Sequence, residues 1–201
     1  MSSPVNRLPF LVIRRLLKLL VALPARAKWG LNVDHGERLP RTREPLILAC
    51  NHAALLDTVF LILALRPRFT VCGAKPPYFR TTARRFLMAV ANILRVDDKE
   101  VFLADCRRLL LAGEIVLIYP EMGRNPEGLG AFQTWAAEVS LDNGVPLLPC
   151  YLHGTTRGHS GGVRLRVGDR IRPRGTAGEL TARLREAISA LAQPAGAAET
   201  S

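Results

Sequence analysis

The sequence predicts a single α/β domain with a largely parallel central sheet flanked by helices. The chain has 201 residues, which is enough for one domain and short for two. Hydrophobic residues make up 48% of it and charged residues 22%, a composition that supports a sizeable buried core. Short apolar runs of strand length alternate with longer segments of helical pattern, and this alternation is typical of βαβ units.

Five apolar runs have the length and the flanking turn residues of strands. The first and third are almost continuously apolar, as in strands buried on both faces. Pro149 predicts an edge or irregular position for the fourth, because proline donates no ladder hydrogen bond. The fifth alternates apolar residues with arginine and is predicted to be half-exposed. The predicted strands are residues 46–50, 69–72, 114–119, 146–152 and 163–167.

Five other segments have helical spacing, and three of them carry recognisable capping residues. Asp57 can cap the first helix, and Asp97 or Asp98 can cap the third. Thr176 with Glu179 three residues later forms a capping box for the last. The predicted helices are residues 59–65, about 82–93, 99–112, 132–143 and 180–192.

The N-terminal stretch at residues 8–21 has the pattern of a basic amphipathic helix. Arg7, Arg14 and Lys18 follow one helical stripe, and Leu16 lies on another face. Residues 8–21 themselves contain three cations, Arg14, Arg15 and Lys18, which argue against a spanning helix, since that needs about 20 largely apolar residues. The pattern favours a helix lying in a membrane interface, with packing onto the domain as the alternative reading.

These patterns divide the chain into three parts. We expect residues 1–44 to be an amphipathic, membrane-associating segment and residues 45–193 to be the folded domain. Residues 194–201 are small and polar and are expected to form a mobile tail.

The basic excess calls for an anionic partner. The net charge is +11, and no acidic residue occurs between Thr58 and Val96. Such a field attracts phosphate on lipid, small molecule or nucleic acid. Aromatic residues make up only 6% and no nucleic-acid-binding motif is present, so we expect no nucleic-acid partner.

The four cysteines are scattered within apolar runs, and none belongs to a Cys-x-x-Cys pair. This distribution disfavours both structural zinc and a disulfide framework, and it fits a reducing compartment.

Two polar loops follow buried strands, where reactive groups of parallel sheets gather. The first carries His52 and Asp57; an imidazole accepts a proton near neutral pH when a carboxylate fixes its tautomer. The second carries Glu121 and Arg124, and an arginine fork grips phosphate by paired hydrogen bonds. Taken singly, each pair has a plainer reading: a helix cap beside an incidental histidine, and a surface ion pair.

The ordered set of blocks resembles the glycerolipid acyltransferase superfamily, typified by the lysophosphatidic acid acyltransferases. Its His-x4-Asp block is similar to residues 51–57, and its Phe-Pro-Glu-Gly block with the following arginine is similar to residues 119–124. An Ala-Lys pair and a Val-Pro-x-x-Pro block are matched at residues 74–75 and 145–149. The resemblance spans roughly residues 45–155, and the ordered set is more specific than any single block.

This resemblance implies an O-acyltransferase that uses no metal and no cofactor. His52 would be the general base, Asp57 its orienting partner, and Lys75, Glu121 and Arg124 would bind the phosphate end of the acceptor. The donor would be acyl-CoA or acyl-carrier protein, and the acceptor a lysophospholipid such as 1-acylglycerol-3-phosphate. The protein would work peripherally at the cytoplasmic face of a membrane.

Several positions depart from the family pattern and keep other functions open. Met122 replaces the usual glycine, and Asp98 stands where a phosphate-binding arginine is expected. The alternatives are acyl transfer to a non-glycerophosphate acceptor and a catalytically silent lipid-binding relative. A Gly-x-Ser-x-Gly match at residues 158–162 is disfavoured as a hydrolase motif, because a strand follows it and no later histidine exists.

Overall fold

The computed structural model describes residues 30–65, 67, 69–74, 80–90, 92–156 and 161–193. The predicted N-terminal helix, Lys75 and the predicted tail lie outside the described residues. Within these residues, no helix combines the length and apolar character needed to cross a bilayer.

The described residues form one seven-stranded sheet with helices on both faces. Its strands are β1 (Leu31–Asp34), β2 (Leu46–Cys50), β3 (Phe69–Ala74), β4 (Ile93–Arg95), β5 (Ile115–Ile118), β6 (Leu147–His153) and β7 (Val163–Val167). The helices are α1 (Asp57–Ala64), α2 (Thr82–Val90), α3 (Lys99–Leu111), α4 (Trp135–Asn143) and α5 (Ala177–Ala192), with a 3₁₀ turn at Gly36–Arg38. The class predicted from the sequence is confirmed.

The sheet order, β1-β7-β6-β2-β5-β3-β4, places β2 and β5, which the two polar loops follow, side by side. The strands from β6 to β4 in this order are mutually parallel, whereas β7 runs antiparallel to β6 and carries β1 parallel to itself. The loops after β2, β5 and β3 therefore leave the same edge of the sheet, from neighbouring strands.

Alternation along β2 builds the core on both faces. Leu46 and Leu48 pack with Phe60 of α1 on one face. Ile47 and Ala49 point to the other face, which α3, α4 and α5 cover. All five residues of β2 are buried, as its continuous apolar run predicted, and this anchors the loop that follows it.

Pro149 lies in the interior strand β6, where pairing with the neighbouring strand is interrupted. Of the two positions predicted for it, the irregular one is observed and the edge one is not. Its carbonyl accepts a hydrogen bond of 2.9 Å from the N–H of Gly168, just beyond the end of β7. Pairing on this side of β6 resumes two residues earlier, where Leu147 and Ile171 exchange N–H bonds of 3.0 and 2.8 Å. The missing donor of Pro149 therefore falls in the interruption between β7 and this bridge.

Two short strands were not predicted. The helix expected over residues 82–93 ends at Val90, and Asn92 takes a left-handed φ of 57°, which asparagine tolerates. Its side-chain amide donates to the carbonyl of Phe69 at 2.8 Å, and β4 follows. The strand β1 lies within residues 1–44, so part of the segment assigned to membrane association belongs to the sheet and pairs with β7.

Candidate active site

His52 and Asp57 meet at the carboxyl edge of the sheet. Asp57 is fully buried at the start of α1, and its Oδ2 lies 2.9 Å from His52 Nδ1. The same oxygen accepts the N–H groups of Ala53 and Ala54 at 2.7 and 2.9 Å. Because a carboxylate only accepts, Nδ1 carries the proton and Nε2 keeps its lone pair. The N-cap of α1 is Leu56, so Asp57 does not act as the N-cap residue and instead folds its carboxylate back onto the loop.

Asn51 ties this loop to the neighbouring strand β6. Its Nδ2 donates to the carbonyl of Leu152 at 3.1 Å, and its Oδ1 accepts the Leu152 N–H at 2.7 Å. Asn51 is buried, and the paired bonds continue the β2–β6 ladder one residue past the strand. The sequence reading gave this residue no role, although an asparagine directly after a buried strand is a turn signal that points to such a bridge.

Glu121 clamps two loops through their main chains. Its Oε1 accepts the N–H of His52 at 2.9 Å, and its Oε2 accepts the N–H of Gly130 at 2.7 Å. The N–H of Asn125 also donates to the His52 carbonyl at 2.7 Å. Both carboxylate oxygens are thus engaged with protein, and a carboxylate repels phosphate. The geometry supports a positioning role for Glu121, and the phosphate-binding role expected from the sequence stays a prediction.

We expect Glu121→Gln to loosen this clamp. An amide would present an N–H₂ to one of two peptide N–H groups, and that part-buried donor would lose its partner at a cost of about 1–3 kcal/mol. Chemical denaturation should show this loss, and activity should fall with it. Glu127→Gln is the matched control, because Glu127 is exposed on the same loop. Equal stability of the two variants would contradict the clamp.

Tyr119 lies directly beneath the histidine. The two rings stack with centroids 4.0 Å apart and planes 15° from parallel. The hydroxyls of Tyr119 and Thr58 share a hydrogen bond of 2.8 Å, which links this ring to the first turn of α1. Burial raises the pKa of the Tyr119 hydroxyl well above its usual range, so the ring stays neutral.

The thiol beside the histidine loop is not available as a nucleophile. Cys50 is buried, and burial is the main cause that raises the pKa of its thiol well above the usual range. The same cause raises the pKa of Cys150, its partner in register on β6, to about 12. Because the thiolate is the reactive form, both thiols stay protonated and inert at neutral pH.

Met122 occupies a backbone conformation that glycine suits better. Its φ is 50°, in the left-handed region that costs an ordinary L-residue about 1–2 kcal/mol. The family pattern places glycine here, and the observed φ explains that preference. Met122 keeps the turn with a main-chain N–H bond of 3.0 Å to the Tyr119 carbonyl.

Substitutions at Met122 should therefore rank by their tolerance of positive φ. Met122→Gly should raise the free energy of unfolding by up to about 1 kcal/mol, and Met122→Val should lower it by about as much. Urea denaturation measures both changes. Leu55→Gly is the control, since Leu55 lies in an exposed loop with an unstrained φ and should lose stability on the same change. If glycine destabilises both positions equally, Met122 is not strained.

The other predicted binding residues are Arg124 and Lys75. Arg124 is exposed on the loop whose next residue, Asn125, bonds to His52. Lys75 follows the end of β3 but lies outside the described residues. Asp98, which stands in place of a family arginine, caps α3 by accepting the Val101 N–H at 2.8 Å. In the part of the chain that the structure describes, no cluster of three or more His, Cys, Asp or Glu residues could hold a metal ion.

The largely parallel α/β sheet with a histidine–carboxylate pair at its carboxyl edge agrees with the acyltransferase class that the sequence resembles. Residues 31–153 match the family model described as Acyltransferase. This match covers more than half of the chain, and the protein belongs to that family.

Two relatives illustrate the likeness. The chain is 28% identical over 124 residues to the chloroplastic 1-acyl-sn-glycerol-3-phosphate acyltransferase BAT2 of Brassica napus, a match over 59% of this chain and 36% of that protein. The chain thus spans about a third of that relative. The crystal structure of PlsC, a 1-acyl-sn-glycerophosphate acyltransferase from Thermotoga maritima, superposes with a TM-score of 0.69 at 16% identity, covering 96% of this chain and 86% of that one. The second likeness shows the shared fold.

Proposed function

We propose that this protein transfers a fatty acyl group from a thioester to the hydroxyl of a lysophospholipid such as 1-acylglycerol-3-phosphate. The observation that carries this proposal is the 2.9 Å bond between His52 Nδ1 and Asp57, which leaves Nε2 as a base at the edge of the sheet. Family membership supports the acyl transfer, and the names of the two relatives support the acceptor.

The reaction follows from the proton-accepting nitrogen. His52 Nε2 takes the proton of the acceptor hydroxyl while that oxygen attacks the thioester carbonyl carbon. Asp57 stabilises the imidazolium that forms. The tetrahedral oxyanion then collapses, the carbon–sulfur bond breaks, and the imidazolium returns the proton to the leaving thiolate. The products are an ester and a free thiol, and His52 is neutral again.

The loops around the pair supply groups suited to a lipid substrate. Arg124 and Lys75 are the cations proposed to hold the acceptor phosphate. Between His52 and Asp57, the side chains of Leu55 and Leu56 are 61% and 40% exposed. Large apolar side chains exposed in this loop suit contact with an acyl chain or a bilayer. The net charge of +11 further supports peripheral binding to an anionic membrane at its cytoplasmic face.

A panel of donors and acceptors tests this proposal. Purified protein would receive acyl-CoA or acyl-carrier protein, each paired with 1-acylglycerol-3-phosphate, its dephosphorylated analogue 1-acylglycerol, or water alone. We expect diacyl product from the phosphorylated acceptor, with free thiol released in equal amount. Thiol release with water alone would contradict acyl transfer and indicate a thioesterase.

A second acceptor class is favoured by one observation. Asp98 caps a helix where a phosphate-binding arginine is expected, so one family contact to phosphate is absent at this position. If 1-acylglycerol or another uncharged alcohol is acylated faster than the phosphorylated acceptor, acyl transfer stands and the glycerophosphate acceptor is wrong.

A further inference from the structure

We infer that Tyr119 is a positioning residue whose ring face stabilises the charged form of His52 during acyl transfer. This inference rests on the proposed function, because it concerns the step in which the imidazole takes a proton. It adds to Asp57, at the start of α1, a second partner for the transient cation, from the loop that follows β5.

The geometry is that of an imidazole lying flat on an aromatic face. The ring centroids are 4.0 Å apart and the planes differ by 15°. A cation within about 6 Å of a ring centroid, above the face, is attracted by the negative charge of the π-cloud. While His52 is neutral the stack contributes ordinary packing. Once Nε2 is protonated, the same contact becomes a cation–π interaction.

Burial and a hydrogen bond hold the Tyr119 ring in place. Tyr119 is 7% exposed, and its hydroxyl is bonded at 2.8 Å to Thr58, the residue after Asp57. The carboxylate and the aromatic ring are therefore both fixed to the first turn of α1. His52 is in turn fixed by the Glu121 clamp on its main-chain N–H.

Each of these groups acts on a different part of the histidine. The ionisable groups that the structure places against it are Asp57 at Nδ1, Glu121 at the main-chain N–H and the phenol of Tyr119 beneath the ring. Of these three groups, Tyr119 is the one that contacts the ring face, and it leaves Nδ1 to Asp57 and Nε2 to substrate. The electron density of this ring can thus be changed without altering the hydrogen bonds that His52 makes to Asp57 and Glu121.

Ring fluorination provides the test, because it weakens the π-cloud and nearly preserves shape. Tyr119→Phe would serve as the reference, and mono- and trifluorinated phenylalanine would be incorporated at position 119 of the full chain. Proton NMR of the His52 ring would follow its titration in each protein. We expect the midpoint to move to lower pH stepwise with fluorination, by roughly half a unit to one unit in the trifluorinated protein.

Activity should move in parallel. Since the neutral imidazole is the active base, the acid limb of the kcat/KM profile should shift to lower pH with the same steps. The plateau should fall roughly three- to tenfold, because the imidazolium formed in the transition state is less stabilised. Thr58→Val is the structural control: it removes the partner of the Tyr119 hydroxyl and should not produce a fluorine-like titration shift.

The outcomes separate this inference from the proposed function. A titration midpoint that stays constant across the fluorinated series overturns the role of the ring, whatever the activity. A protein that transfers no acyl group to any acceptor overturns the proposed function, while the titration still reports whether the ring stabilises the cation. If kcat/KM falls across the fluorinated series while the His52 titration midpoint stays constant, Tyr119 acts only as a packing contact.

Discussion

Replacing His52 with alanine should lower acyl transfer by about 10²–10⁴-fold, the usual contribution of a general base. The acceptor hydroxyl loses the nitrogen that takes its proton, and no other described imidazole occupies that place. The loop should remain folded, because Asp57 still accepts the N–H groups of Ala53 and Ala54. Product formation from a radiolabelled donor measures the loss.

Two controls decide what that loss means. His35→Asn removes an exposed histidine from a left-handed position at the opposite edge of the sheet, which asparagine tolerates, and should leave turnover intact. Binding of the His52→Ala protein to anionic liposomes should equal that of the parent. If the two histidine variants turn over at the same rate as the parent, His52 is not the base. If the parent itself shows no turnover but binds liposomes, the protein is a silent lipid-binding relative.

The histidine loop was predictable because its determinants are local. A fully apolar strand, a polar break and a helix beginning at Asp57 follow one another within twelve residues of sequence. The hydrogen bonds of Asp57 to Ala53 and Ala54 span four and three residues. Contacts between near neighbours thus bring the carboxylate back to His52. The five-residue spacing by itself also allowed a plain helix cap, and it was the ordered set of blocks that favoured the pair.

The role of Glu121 could not be predicted in the same way. Its bond to His52 joins residues 69 positions apart and depends on β2 and β5 being neighbours in the sheet. Strand order is a property of the whole fold, and local pattern does not specify it. A carboxylate next to a conspicuous arginine therefore suggested a substrate-binding pair, although its own oxygens are directed at peptide N–H groups.

The missed strands have a similar cause. β1 has four residues and β4 three, too few for an alternating pattern to stand out from a loop. Both are edge strands whose pairing is supplied by β7 and β3. Pro149 shows how far a local rule reaches: it predicted irregular pairing at this residue, which is observed, but it could not specify that β6 lies inside the sheet.

Replacing Asp57 with asparagine should separate catalysis from stability. The amide oxygen can still accept the N–H groups of Ala53 and Ala54. Removal of the negative charge offsets the burial of the new N–H₂ group, which takes the place of the unbonded Oδ1, so the loss of stability should be smaller than in Asp57→Ala. Activity should fall by about 10²–10³-fold, because the imidazolium of His52 loses its charged partner, although the amide oxygen still accepts the Nδ1 proton.

Asp57→Ala provides the contrast. It leaves two N–H groups without their acceptor, at about 1–3 kcal/mol each, and should therefore lose both stability and activity. Urea denaturation and initial rates on the same preparations would distinguish the two variants. Should the asparagine variant retain full activity, Asp57 would hold only the loop, and the imidazole would act without a carboxylate behind it.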